Sequence, residues 1–213
     1  MREITPIAQS SDTNYWSDYY KKDLAPKPPS DFAKFAVEFM KPNKKLIDLG
    51  CGNGRDSMFF ARSNLKVTAV DLSDEALARF DQSLSIFTVC DDFVSSKILL
   101  CMDYDYFYSR WSIHAINQAK QDELLPKIYN AMHDDGRLFI EARSINDVIF
   151  GKGEKLGENE FFYDSHYRRF IDPGQLTGQL EEIGFKVMFS EESDQFSVMG
   201  SDSPTLIRVV AGK

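Results

Sequence analysis

The segment Asp48-Leu49-Gly50-Cys51-Gly52-Asn53-Gly54 constrains the fold more than any other part of the chain. It follows a short apolar run, Lys45 to Leu49, and precedes Arg55 to Ser63, where Met58, Phe59 and Ala61 return at helical spacing. Strand, glycine turn and helix in that order open a parallel α/β unit. Glycine tolerates left-handed backbone and lets a ligand approach with no side chain in the way.

The spacing of those glycines narrows the ligand. A dinucleotide turn reads GxGxxG and seats a pyrophosphate on the helix N-terminus. Here the spacing is GxGxG and Arg55 follows Gly54, so an adenosine ligand without a diphosphate fits better. Asp71 closes the next predicted strand, Val67 to Val70, where an acid can accept both ribose hydroxyls. A loop glycine cluster beside an exposed aspartate is the plainer reading of the same residues.

Helix and strand alternate nearly throughout. Phe32, Phe35, Ala36, Phe39 and Met40 give a helix over 31–40, capped by Ser30 or Asp31. Ser73 opens a helix with Asp74 and Glu75 in its first turn. Ile86 to Cys90, Tyr104 to Tyr108 and Leu138 to Ala142 read as strands. A helix over 118–133 ends at Gly136, and another runs from Pro173, behind Asp172, to Gly184. Phe185 to Ser190 and Thr205 to Ala211 close the chain as strands. This pattern gives an α/β, doubly wound, mostly parallel sheet in a single domain spanning 1–213. Two segments stand outside it: 11–29, rich in Tyr, Trp and Lys and then Pro, and 144–170, a long connection with glycines, aromatics and paired arginines.

Ligands of open α/β sheets bind outside the carboxyl ends of the strands. Tyr108, Ser109, Arg110, Trp111, Ser112, Ile113 and His114 leave the fourth strand at that edge, so His114 is the leading general base, with His166 second and Tyr108 beside them. The alternative for His114 is a helix-start histidine packed under the loop. Arg110, Arg143, Arg168 and Arg169, with Tyr167, suit recognition of a carboxylate or phosphate on the acceptor, because the guanidinium fork matches both. A salt-bridged face is the alternative for Arg168 and Arg169.

A formal net charge of −8 argues against a general nucleic-acid binder. No apolar run is long enough to span a bilayer, and Met1 to Asn14 lacks the apolar core of a signal peptide. Cys51, Cys90 and Cys101 have neither metal-ligand spacing nor an even disulfide count. The expectation is a cytoplasmic protein without a metal, acting on a small molecule as a monomer or homodimer.

From Leu46 to Leu77 the chain resembles motif I and its continuation in class I S-adenosylmethionine-dependent methyltransferases. Tyr15-Trp16 with Tyr19-Tyr20, followed by Gly52-Asn53-Gly54-Arg55-Asp56-Ser57, is most similar to the tellurite-resistance and thiopurine methyltransferase branch. Beyond the cofactor half it resembles methyltransferases that accompany surface-glycan biosynthesis. The resemblance implies seven strands with the last antiparallel, and S-adenosylmethionine as cofactor. It implies that Asp48 and the backbone of Gly50 and Gly52 hold the methionine end, with Gly54 and Arg55 in the same turn, and that Asp71 holds the ribose. Leu72 would pack on adenine. Asp91 or Asp92, with Asp92 favoured, would accept the adenine amino group beside Phe93. Arg110 would also touch the cofactor. Tyr15, Trp16 and Tyr20 would form an aromatic lid over the sulfonium, and 144–170 an acceptor-side lid hinged at Gly151, Gly153 and Gly157.

The reaction expected is methyl transfer to a small anionic or phosphorylated acceptor, an O-methylation, as of a surface-glycan precursor. The alternatives are a detoxifying methyltransferase acting on a thiol or a tellurium or selenium oxyanion, and a cofactor-binding partner subunit without catalysis.

Overall fold

The computed structural model describes Trp16, Asp18, Tyr20, Lys21 and residues 28–101, 103–197 and 203–213. Tyr15 lies outside the described residues. Helix α1, Asp31–Val37, starts where Ser30 accepts the Ala33 N–H through its hydroxyl at 3.0 Å. Strand β1, Lys45–Leu49, then runs into the glycine turn, and Gly54 (φ 76°) caps α2, Arg55–Arg62. Next come β2, Lys66–Asp71, the short α3, Asp74–Leu77, β3, Ile86–Cys90, and α4, Ile98–Cys101. Strand β4 runs Tyr104–Arg110, two residues further than its apolar stretch suggests, which brings Arg110 to the strand end. A 3-10 turn, Ile113–Ala115, leads to α5, Gln118–Ala131.

With β5 (Met132–Arg143), β9 (Lys186–Ser193) and β10 (Leu206–Gly212), these strands form one seven-stranded sheet in the order β3-β2-β1-β4-β5-β10-β9. Strand β5 is parallel to β4, whereas the last strand, β10, is antiparallel to both β5 and β9. The doubly wound sheet with an antiparallel last strand is therefore present as expected. Helix α6, Pro173–Ile183, shows the expected ends: Asp172 accepts the Gln175 N–H at 2.9 Å, and Gly184 terminates it at φ 115°.

Two cores cover the sheet faces. Ile47, Phe107, Ile140 and Val209 pack under α5 and α6, while Leu46, Tyr106, Tyr108, Phe139 and Val210 pack under α1 and α2. Alternate residues of one strand thus go to opposite layers, as pleating requires.

The structure corrects two expectations. The helix after residue 118 ends at Ala131, and Gly136 lies within β5 beside a register shift against β4. A Cβ at Gly136 would fall 2.7 Å from the His133 carbonyl and 2.9 Å from that of Asp105, so the glycine serves close backbone approach. The long connection 144–170 is folded: β6 (Glu154–Lys155), β7 (Glu160–Tyr163) and β8 (His166–Arg169) form an antiparallel three-stranded sheet.

Candidate active site

The carboxyl edge of the sheet gathers Leu49 of β1, Asp71 of β2, Asp91 after β3, Arg110 of β4 and Arg143 of β5. Gly50, Gly52 and Gly54 all have positive φ (75°, 55° and 76°), a conformation that side chains disfavour. Neighbours make two of them obligatory. A Cβ at Gly50 would meet the Ser112 Cβ at 2.6 Å, and one at Gly54 would meet the Phe80 ring at 2.3 Å. The Tyr20 hydroxyl lies so close to Gly52 that a Cβ there would sit 2.1 Å from it, so this tyrosine rests directly on the turn.

Two acids hold the turn from beneath. Asp71 accepts the Gly52 N–H at 2.8 Å and the Ser73 N–H at 2.9 Å, tying the turn to the start of α3. Burial pushes its carboxyl above the usual range, and the backbone donors oppose that shift. Asp48 is 3% exposed and accepts the Ser57 hydroxyl at 2.6 Å. Burial, reinforced by Asp56 and Asp71, pushes its carboxyl up to about 8. A buried acid of this kind keeps its proton near neutrality unless a cation arrives beside it.

Past β2, Leu72 is half exposed despite being apolar, at the position where an adenine face would pack. The paired acids Asp91 and Asp92 separate in role. Asp92 accepts the Val94 N–H at 2.9 Å and pairs with the Lys120 ammonium at 2.9 Å, which offsets its charge. Asp91 accepts only the neighbouring Asp92 N–H among the described hydrogen bonds, and its own N–H joins Asp71 O. The Lys120 pairing makes Asp91 the better candidate for the adenine amino group, where the resemblance favours Asp92. Phe93 is buried, its ring 3.5 Å from where a Gly50 Cβ would stand.

The acceptor side centres on Trp111, whose φ of 60° is unusual for a bulky residue. Its N–H donates to the Glu141 carbonyl at 2.8 Å and its indole N–H to the Glu141 carboxylate at 3.1 Å. Arg110 and Arg143 lie over its ring, 4.9 and 5.4 Å from the centroid. Glu141, fully buried, also pairs with Arg110 at 3.0 Å and with Arg208 at 2.8 Å. Arg143 in turn pairs with Asp147 at 2.8 Å.

Three expected roles change. Tyr108 points into the α1–α2 core, where its hydroxyl donates to Asp56 at 2.9 Å and meets the Ser30 hydroxyl at 3.2 Å, so it joins two helix starts instead of the site. Arg169 is buried and spends its guanidinium inside the protein, on the carbonyls of Ile116 (2.8 Å) and Ile113 (3.0 Å) and the amides of Gln118 (2.5 Å) and Gln121. That fork staples β8 to the turn after β4, which gives Arg169 a structural role. Arg55 lies 3.6 Å from Asp56 and is turned toward the α2 start.

The histidines also depart from the base assignment. His114 accepts the Arg143 backbone N–H on Nδ1 at 3.1 Å, so a neutral ring must carry its proton on Nε2. Burial, with Arg143, Arg168, Arg169 and His166 nearby, holds its pKa well below the ordinary histidine value. His166, buried on β8, donates from Nδ1 to the Asp164 carbonyl at 3.1 Å, and burial with Arg168 lowers its pKa to about 4. Trp16 packs on His166 at 5.7 Å and on Tyr20 at 6.3 Å, so the described N-terminal residues reach from the folded insertion to the glycine turn. Arg168 lies 5.6 Å from the Tyr163 ring and 3.8 Å from Asp164, with Tyr167 beside it on β8.

Residues 46–136 match a family model described as a methyltransferase domain. The chain is similar to the class I S-adenosylmethionine-dependent methyltransferases. A TehB-like S-adenosylmethionine-dependent methyltransferase from Corynebacterium glutamicum superposes with a TM-score of 0.65 at 20% identity, covering 96% of this chain and 98% of that one. TehB from Haemophilus influenzae gives 0.68 at 17% identity, covering 93% and 67%. A 1,6-didemethyltoxoflavin-N1-methyltransferase from Burkholderia thailandensis gives 0.71 at 15% identity, covering 100% and 93%. At these identities the likeness is one of fold. In sequence, a carboxy-S-adenosyl-L-methionine synthase from Nautilia profundicola is 26% identical over 140 residues, 58% of each chain. The chain thus spans a little over half the length of this curated relative.

Glu141 and Asp147 are the site residues that sequence reasoning passed over. One signal was present: Glu141 interrupts Leu138-Phe139-Ile140-Glu141-Ala142, and a lone acid in an apolar strand needs a cationic partner. Among the described residues no helix is long and apolar enough to cross a membrane, and no group of three potential metal ligands occurs.

Proposed function

We propose that this chain transfers the methyl group of S-adenosylmethionine to a small anionic acceptor. The cofactor would lie along the carboxyl edge. Asp48 and the turn of Gly50 and Gly52 would hold the methionine end, Asp71 the ribose, Leu72 and Phe93 the adenine faces, and Asp91 the adenine amino group. The observation that carries the cofactor reading is the glycine turn itself: three left-handed glycines clasped by Asp71, with a half-exposed leucine immediately beyond. When bound, the cofactor supplies an electrophilic methyl on a positively charged sulfur. Trp16 and Tyr20, which reach from the insertion to the turn, would exclude water from it.

The acceptor preference rests on charge. Arg110, Arg143, Arg168, Arg169 and Arg208 gather around the Trp111–His114 region, with the carboxylates of Glu141, Asp147, Asp164, Glu160 and Asp122 among them. Arg169 is hydrogen-bonded to neutral carbonyl and amide oxygens, with Glu160 and Asp122 as the acids acting on its charge. Guanidinium groups gathered in this way suit an anionic group, because their forks match a carboxylate or phosphate. Incubation of the protein with S-adenosylmethionine and a panel of small carboxylates and sugar phosphates tests this reading, with mass-spectrometric detection of S-adenosylhomocysteine and methylated product. Turnover only with neutral alcohols or thiols would overturn it.

A second reading keeps the same cofactor. The curated relatives are named as synthases of carboxy-S-adenosyl-L-methionine, whose extra carboxylate would meet the same arginines. A cofactor-derived product heavier by a carboxyl group in that assay would favour it.

A further inference from the structure

We propose that His114 anchors the acceptor as a hydrogen-bond donor through Nε2, and that the atom methylated is an oxygen that arrives already ionised, on a carboxylate or a phosphate ester. The inference rests on the methyl-transfer reading above and names the chemistry of its acceptor.

The argument starts from a strand end. Strand β4 pairs with β5 only as far as Arg110 opposite Glu141, so the Arg143 N–H lies beyond its reach. A buried N–H requires a partner, and the His114 ring supplies it through Nδ1 at 3.1 Å. This contact fixes both the orientation of the ring and its tautomer: Nε2 carries the hydrogen and can only donate. To act as a base, the neutral ring would have to give up the Arg143 contact, since that contact occupies its one lone pair.

The surroundings oppose such a change. Arg143 approaches from β5, and Arg168, Arg169 and His166 from β8, while Trp111 packs beside the ring at 5.9 Å. The carboxylates of this network face arginines: Asp147 pairs with Arg143, Glu141 with Arg110 and Arg208, Asp164 lies 3.8 Å from Arg168, and Glu160 and Asp122 act on Arg169. Tyr108, the other expected proton acceptor, is turned into the core. A site so arranged suits an acceptor with no proton to lose. The oxyanion lone pair forms the O–C bond, the C–S bond breaks with its electrons going to sulfur, and the sulfonium becomes a neutral thioether. No proton is released, and the acceptor loses one negative charge.

The two tryptophans of the chain, Trp16 and Trp111, each contact one of the two site histidines, so intrinsic fluorescence reports on this region alone. Protein saturated with S-adenosylhomocysteine is titrated with benzoate, phenyl phosphate and, as the neutral control, benzyl alcohol. Saturable quenching by one or both anions and none by the alcohol is expected, and the two anions distinguish carboxylate from phosphate. His114→Ala should weaken anion binding about ten- to a hundredfold, the worth of a hydrogen bond to a charged group. His114→Gln, a donor that cannot act as a base, should stay within about threefold of wild type. Equal binding of the alcohol, no saturable anion binding, wild-type affinity in His114→Ala, or a His114→Gln variant as weak as the alanine would each overturn the proposal. Calorimetry with S-adenosylhomocysteine on the same proteins separates the two readings: failure to bind it at all refutes the cofactor assignment instead.

Discussion

Replacing Asp48 by Asn should stabilise the empty protein while weakening its hold on the cofactor. In the unfolded chain an aspartate titrates near ~3.9. In the fold, burial raises Asp48 to about 8. Between those values the native state keeps a proton that the unfolded state has lost, so folding takes up a proton and stability falls as pH rises through that window. At about 1.36 kcal/mol per pKa unit, the cost is roughly 4 kcal/mol at neutral pH and on the order of 5 kcal/mol above pH 8, where it levels off. Asparagine keeps an acceptor for the Ser57 hydroxyl and carries no charge to bury. Denaturation of wild type and Asp48→Asn across the pH range should therefore show matching stabilities near pH 4 and a widening advantage for the variant toward pH 8. For a chain of this length the advantage corresponds to roughly 10–20 °C in melting temperature. On the proposed cofactor placement the ammonium would offset the same cost in the wild type, so S-adenosylhomocysteine should bind about 10- to 100-fold more weakly to the variant. Binding to the wild type should also release close to one proton near neutrality, which calorimetry in buffers of different ionisation enthalpy measures. A variant no more stable at pH 8 than wild type, or one that binds the cofactor normally, would refute the reasoning.

Glu141→Ala leaves Arg110 and Arg208 buried without their shared carboxylate, and should cost about 3–5 kcal/mol by chemical denaturation. Tyr108→Phe removes the hydroxyl from Asp56 and Ser30, and should cost about 1–3 kcal/mol with turnover per folded molecule unchanged. Nitrogen-15 spectra of histidine-labelled protein should show His114 as the Nε2–H tautomer and His166 as the Nδ1–H tautomer, both neutral across pH 5–8; a His114 protonated on Nδ1 would contradict the Arg143 contact.

The cofactor half was legible because its signals are local. Glycines that need left-handed backbone, an acid at a strand end and helices with capped starts are all set within a few residues of chain. Gly136 misled because the same residue type serves a helix stop and a bulged strand, and only the Asp105 and His133 carbonyls beside it decide between them. The acceptor side depends on contacts distant in sequence. Nothing near Arg169 announces that its fork is consumed by Ile113, Ile116, Gln118 and Gln121, and nothing near His114 shows that Arg143 fixes its tautomer. Tyr108 failed for a simpler reason: pleating sends it to the face opposite Phe107, into the α1–α2 core.

The most direct test of the central claim is isothermal titration of the wild type and Asp71→Asn with S-adenosylhomocysteine and, separately, with NADH. One saturable site for S-adenosylhomocysteine, weakened in the variant, with no heat from NADH, is the expected result. Saturable NADH binding, or S-adenosylhomocysteine binding indifferent to Asp71, would contradict it.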